Sequence, residues 1–222
     1  MSSEFVGRAP SPRTYEMPPP GQHTAVCIGF VDLGYQEQIY KDLKGERRED
    51  IHQIMLCWEL TGLPIAGQAG HNHIVGRSYN LKFGLNKDDV PGALRKLMEQ
   101  FKGCAYKVGE DIDPVKLLGK KYLIGLLHKE SWRGKMYAKL DAVNPLPKEM
   151  TCLPAKIKPI LVLKEDALPE WVPWLFGERV EDVRARAIPP EMVGKPRTTR
   201  APQQPAGHAP AGSEQADDEE PF

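Results

Sequence analysis

The sequence lacks paired cysteines, recognisable catalytic signatures and long apolar runs, and each absence removes a class of protein. Cys27, Cys57, Cys104 and Cys152 stand thirty or more residues apart. No two are close enough in sequence for a compact zinc site, which needs ligands in short-spaced pairs. Cys27 and Cys57 lie within apolar runs and read as small buried side chains. No apolar stretch approaches the roughly 18 residues of a membrane span, and no secretory leader is evident, so a soluble, cytoplasmic protein is expected. GxSxG, GxxxxGK[ST] and HExxH are all missing. Carboxylates occur in mixed-sign runs such as GERRED (45–50), without the apolar setting that tunes an acid or base. The expectation is a protein that is not an enzyme and needs no metal or cofactor. The letters His-Asn-His at 71–73 are adjacent on a strand approach rather than spread over a hairpin and helix, and read as a polar loop.

Proline and glycine are abundant, at 21 and 20 residues, and unevenly placed. Residues 7–21 and 194–212 are rich in Pro, Gly, Ala and polar side chains. They carry too little apolar surface to offset the entropy of ordering, so both are expected to be disordered or extended. The zero net charge is also uneven. Residues 213–222 hold Glu214, Asp217, Asp218, Glu219 and Glu220 and no base, which leaves the preceding 212 residues with a charge of +5. An acidic end on a mildly basic body can rest on that body, or leave when another polyanion takes its place.

Between the tails the hydrophobic pattern predicts strands near 24–35, 51–60, 74–84, 121–130 and 135–144. The stretch 39–50 reads as a charged loop and 61–70 as a glycine-rich turn. In 86–103 the spacing of Leu94, Leu97, Met98 and Phe101 predicts a helix, with Asp88 and Asp89 as caps, Pro91 near the first turn and Gly103 at the end. On the last strand Met136, Ala138, Leu140 and Ala142 are expected on one face. Three strands, a helix and two strands give the order of the OB-fold, so the expected fold is mainly β. It is a five-stranded, OB-fold-like Greek-key barrel with one helix between strands three and four, a C-terminal helical extension and disordered tails. The segment 165–189, with Trp171, Trp174, Leu175 and Phe176, is expected to dock on a domain or a second subunit.

The residues point to a single-strand binder, which needs cations for phosphates and flat faces for bases. The hairpin 128–139 interleaves His128, Lys129, Trp132, Arg133, Lys135, Tyr137 and Lys139. Strand three carries Arg77, Tyr79 and Phe83 on one face and Lys82 on the other. The loop between the first two strands supplies Tyr35, Tyr40, Lys41, Lys44, Arg47 and Arg48. These are the places where an OB-fold binds oligonucleotides. Trp58 reads as core, while Lys120 and Lys121 read as solvating the start of a strand.

The stretch DPVKLLGKKYLIGLLHKESWRGKMYAKLDAVNPLPKEM (113–150) resembles a family of tailed-phage OB-fold single-stranded DNA-binding proteins. GFVDLGYQEQ (29–38), IMLCWEL (54–60) and GRSYNLKFGLNKD (76–88) are similar to the same family's earlier strands. DDEEPF (217–222) resembles the acidic tip of bacterial single-stranded DNA-binding proteins, whose final Pro-Phe docks into pockets on replication and repair proteins. The resemblance implies sequence-independent coating of single strands in phage replication, recombination or repair. It also implies recruitment of partners through Asp217, Asp218, Glu219, Glu220, Pro221 and Phe222.

The expected organisation is an N-terminal arm (1–22), a single-stranded-DNA-binding domain (23–149), an extension with a docking helix (150–193), a linker (194–212) and the acidic tip (213–222). The expected nucleic-acid contacts are Tyr35, Lys44, Arg47, Arg48, Arg77, Tyr79, Lys82, Lys129, Trp132, Arg133, Lys135, Tyr137 and Lys139. A homo-oligomer is compatible with this reading, and no membrane partner is expected. An OB-type protein-interaction module that binds no nucleic acid is the alternative.

Overall fold

β-branched and aromatic residues recur along 21–42 and 45–64, and the chain there builds two very long strands rather than two short ones. The computed structural model describes residues 16–42, 45–66, 70–83, 92–130, 136–173 and 179–195. In chain order the elements are β1 (Gly21–Asp42), β2 (Gly45–Pro64), β3 (Asn72–Asn80), α1 (Ala93–Lys102), β4 (Lys121–Glu130), β5 (Met136–Pro145), β6 (Ile160–Val162) and α2 (Val180–Ala185). The stretch 39–50, expected as a loop, belongs largely to β1 and β2. Tyr40 pairs with Arg47 and Asp42 with Gly45. Backbone pairing along its length, with the Arg48–Glu37 ion pair across it, holds this charged ribbon extended, so polarity alone misread it.

The sheet runs β3-β2-β1-β4-β5, antiparallel throughout, and β6 adds to β1 in parallel. Among the described residues the five strands expected to form a barrel join with β6 in a six-stranded sheet that is not closed. Among the described residues no ladder joins β3 to β5, although their Cα atoms come within 8 Å and α1 packs against both. β6 was not foreseen because three residues are too short to display a period.

Two bulges curl β1. Cys27 pairs with Trp58 and Gly29 with Cys57, which leaves Ile28 unmatched; Asp32 pairs with Ile54 and Gly34 with Gln53, which leaves Leu33 unmatched. Each extra residue bends the strand and increases its twist. The curl separates two cores. On the inner face, Ala25, Cys27, Phe30, Leu56, Trp58, Tyr79, Tyr122, Ile124 and Leu126 pack with Leu94, Leu97 and Met98 of α1. On the outer face, Val26, Ile28, Val31, Leu33, Met55 and Cys57 pack with Cys152, Val162, Val180 and Val183 from the C-terminal extension. Helix α1 is shorter than expected. It starts at Gly92, whose carbonyl accepts from Lys96 N–H at 3.0 Å, and it ends at Gly103 in the left-handed region at φ 78°. Asp88, Asp89 and Pro91 lie outside the described residues.

A bulge also sits in β5. Gly125 pairs with Ala142 but Leu126 pairs with Leu140, so Asp141 is unmatched. Leu140 and Val143 both reach the inner core as a result. Ala142, expected on the same face as Leu140, instead stands beside Gly125 on the opposite one, where a methyl at Gly125 would lie 3.3 Å from the Ala142 Cβ. One inserted residue inverts the two-residue period.

The C-terminal extension docks on its own chain, over the outer face of β1–β3. Trp171 lies so close over Gly29 that a methyl there would come within 2.8 Å of its ring, and Pro173 lies over Gly76 in the same way at 3.1 Å. Arg184 of α2 donates from Nε to Asp32 O at 2.8 Å, from Nη1 to Asp166 O at 2.9 Å, and also to Leu163 O. Ile188 N–H donates to Tyr35 O at 2.7 Å. Trp174, Leu175 and Phe176 lie outside the described residues.

The firmest clasp is Glu59 on β2, which has no solvent exposure. Its carboxylate accepts from Asn72 Nδ2 at 2.6 Å, from Lys156 N–H at 3.0 Å and from Ile157 N–H at 3.0 Å. Glu59→Ala would leave these donors buried without an acceptor, each costing about 1–3 kcal/mol. A drop of about 2–5 kcal/mol in unfolding free energy is expected, read as a lower urea midpoint at unchanged slope, with a smaller drop for Glu59→Gln.

Candidate nucleic-acid interface

The outer face of the β4–β5 hairpin is built by simple alternation. Tyr122, Ile124 and Leu126 point inward and are buried, so Lys121, Leu123, Leu127 and Lys129 point outward. Opposite them on β5, Tyr137 pairs with Lys129 and Lys139 with Leu127. The four side chains therefore form one cross-strand cluster, with Leu127 and Tyr137 each 44% exposed and both lysines exposed. Neither lysine forms an ion pair among the described residues. A ring and an aliphatic side chain flanked by two uncommitted ammonium groups can stack a base and hold its phosphates. Trp132, Arg133 and Lys135, predicted at the tip of this hairpin, lie outside the described residues. His128 faces the other way and its Nε2 is 2.8 Å from Pro18 O, which pins the chain before β1 against β4.

The cations of the β1–β2 ribbon are arranged differently. Arg47 meets Glu49 at 3.0 Å, while Arg48 meets Glu46 at 2.8 Å and Glu37 at 3.3 Å. Lys82, beyond β3, reaches Glu49 at 3.2 Å. Composition gave no sign that glutamates meet these cations, Glu46 and Glu49 from the same strand and Glu37 from across the ribbon. Such exposed pairs are worth about 0.2–1 kcal/mol, so a phosphate could compete for these cations. Lys44 lies outside the described residues.

One expected contact is corrected. Tyr79 is 5% exposed, and its ring stands edge-on to Trp58 at 6.4 Å between centroids. Burial pushes its phenol up to about 12. Its ring belongs to the inner core and offers no face to a base. Arg77 shares that inward face, with its guanidinium 5.4 Å from the Tyr79 ring centre. The cause is the register of β3, where Val75 and Tyr79 alternate inward against Trp58 and Ile54. The outer side of β3 is no substitute, because the extension covers it around Gly76.

Tyr35 is half-buried and already stacked, with its ring 4.8 Å from that of His52 at 28°. His52 Nε2 lies 2.7 Å from Asp32 Oδ1, and Gly34 N–H donates to the same oxygen at 2.7 Å. This cluster was not foreseen, since its members are spread over two strands and only the register aligns them. His73 was read as a polar loop residue; it is buried in β3, and desolvation lowers its pKa. No group of three or more His, Cys, Asp or Glu among the described residues could hold a metal ion. No described helix is long and apolar enough to cross a membrane. The tip residues Asp217, Asp218, Glu219, Glu220, Pro221 and Phe222 lie outside the described residues.

Burial alone would raise the Asp32 carboxyl. The His52 hydrogen bond, the Gly34 N–H and attraction to His52 and Arg184 outweigh burial and hold it below its ordinary 3.8. A carboxyl depressed in the folded state contributes stability above its unfolded pKa, and that contribution disappears as pH falls through the folded value. Asp32→Asn is therefore expected to lower Tm near neutrality but to flatten its decline below about pH 4, read from thermal melts over a pH series. An equally steep acid decline in the variant would contradict this assignment.

No protein-family model matches the chain and no curated protein matches it.

Proposed function

We propose that the protein is a non-enzymatic, sequence-independent single-stranded DNA-binding protein built on an OB-type barrel. The strand order β3-β2-β1-β4-β5, with α1 between β3 and β4 and packed against both β3 and β5, supports this reading of the fold. It is the order of an OB barrel whose β3–β5 seam is approached but not hydrogen-bonded. The observation that carries the function is the outward cluster of Lys129, Tyr137, Lys139 and Leu127, in which no lysine is neutralised by a neighbour among the described residues. Flat and cationic groups that read no base edge give affinity without sequence preference. In this reading the strand is held on the β4–β5 hairpin and at the tip of the β1–β2 ribbon, and not on the outer face of β2 and β3.

The biological setting follows the sequence resemblance. The chain coats single strands in phage replication, recombination or repair, and the tip 213–222 recruits partner proteins. Phe222 fits an apolar pocket, and Asp217–Glu220 fit its basic rim.

Oligo-dT is expected to bind with Kd below about 1 µM near physiological salt, with little dependence on base sequence and a steep loss as salt rises. Tyr137→Ala should weaken binding by about 5- to 150-fold, the equivalent of one stacked base at about 1–3 kcal/mol. Lys129→Glu with Lys139→Glu should weaken it further and flatten the salt dependence. Unchanged affinity in both variants, by fluorescence-anisotropy titration, would refute the assignment of this hairpin.

A further inference from the structure

Positive charge that is not neutralised also collects away from the hairpin. Lys120, Lys121, Lys156 and Lys158 are exposed, and none forms an ion pair among the described residues. Their backbones converge on one short piece of β1. Lys120 O accepts from Cys27 N–H at 3.0 Å, and Lys121 pairs with Val26. Val26 pairs in turn with Glu59, whose buried carboxylate holds Lys156 N–H at 3.0 Å. β6 runs parallel to β1 with Ile160 beside Gly29, which brings Lys158 back to the level of Cys27. Gly119 and Pro159 meet there, since a methyl at Gly119 would lie 3.9 Å from the proline ring. Two separate segments thus bring the backbones of four exposed lysines to neighbouring positions on the sheet.

The carboxylates nearby do not balance them. Glu59 is fully buried and bonded to amide donors. Asp113 caps Val115 N–H at 3.1 Å and faces Lys116 at 4.0 Å. Lysine is depleted from protein–protein interfaces, whereas an uncommitted lysine cluster releases counterions when it meets phosphates. Lys121 also shares the outer face of β4 with Leu123, Leu127 and Lys129, which puts this cluster and the hairpin on the same side of the sheet. The eight residue-to-residue steps from Lys121 to Lys129 cover about 26 Å. That span fits the roughly 4–16 nucleotides held by one OB-fold.

We propose that Lys120, Lys121, Lys156 and Lys158 form a second phosphate-binding station, onto which a strand held at the β4–β5 hairpin continues along the outer face of β4. The station rests on the single-strand reading above and adds to it a path and a longer site.

The test uses the full chain and oligo-dT of about 6 and about 24 nucleotides. The paired variants are Lys120→Glu with Lys121→Glu and Lys156→Glu with Lys158→Glu, with the matching Gln variants in case charge reversal disturbs folding. Thermal melts verify the fold. The expected result is that each pair weakens the long strand by about tenfold, leaves the short strand within about twofold, and lowers the long strand's salt slope by about 0.7 per lost phosphate contact. An unchanged affinity and slope for the long strand would overturn the station, as would an equal loss for both lengths. A peptide of residues 213–222 serves as a further probe. If the variants lose that peptide but keep the long strand, the surface is an acidic-peptide site and the proposal fails. If the unaltered chain holds neither oligonucleotide, the single-strand reading itself fails, which differs from a loss confined to long strands.

Discussion

One strand governs the whole molecule. β1 pairs with β2 along its length, with β4 near its start and with β6 beyond that. Because alternate side chains of a strand point to opposite faces, β1 must supply two cores at once. Ala25, Cys27 and Phe30 fill the inner core, while Val26, Ile28, Val31 and Leu33 fill the outer one. A strand apolar on both faces cannot be left half-covered in water, so the outer face requires a cover. The C-terminal extension meets that need, and its route is set by fixed points on the sheet: Glu59, Gly29, Gly76 and Asp32.

That cover decides where a ligand can go. The face of β2 and β3 is occupied by residues of the chain itself, which moves the candidate interface to the uncovered side of β4 and β5. Electrostatics sorts the remaining cations. Arginines on the ribbon meet glutamates of their own strand and, at Glu37, of the facing strand, and form a locally balanced surface. Lysines on β4, β5 and the 156–158 segment meet no such partners among the described residues. A count of basic residues cannot separate these groups, because the difference lies in which carboxylates the register brings alongside.

The elements with a clean period were legible in the sequence. Alternation at Ile54, Leu56, Trp58 and Leu60 located the middle of β2, and the spacing of Leu94, Leu97 and Met98 located α1. What escaped were features that depend on pairing. The charged ribbon reads as a loop until its partner strand is known, and β6 is too short to carry a pattern. Tyr79 illustrates the limit for the site. Period two placed it on the same face as Arg77, but only the two cores reveal that this face is the inner one. The tyrosine that does face outward, Tyr137, owes its partner Lys129 to the cross-strand register.

The unmatched Asp141 has a further consequence. By inverting the alternation midway along β5, it lets Leu140 and Val143, on either side of it, both face the interior. On the distal side Tyr137 and Lys139 face outward, away from that packing. Side chains at those two positions can vary while Leu140 and Val143 keep their seats. A single extra residue makes the hairpin two modules joined in series.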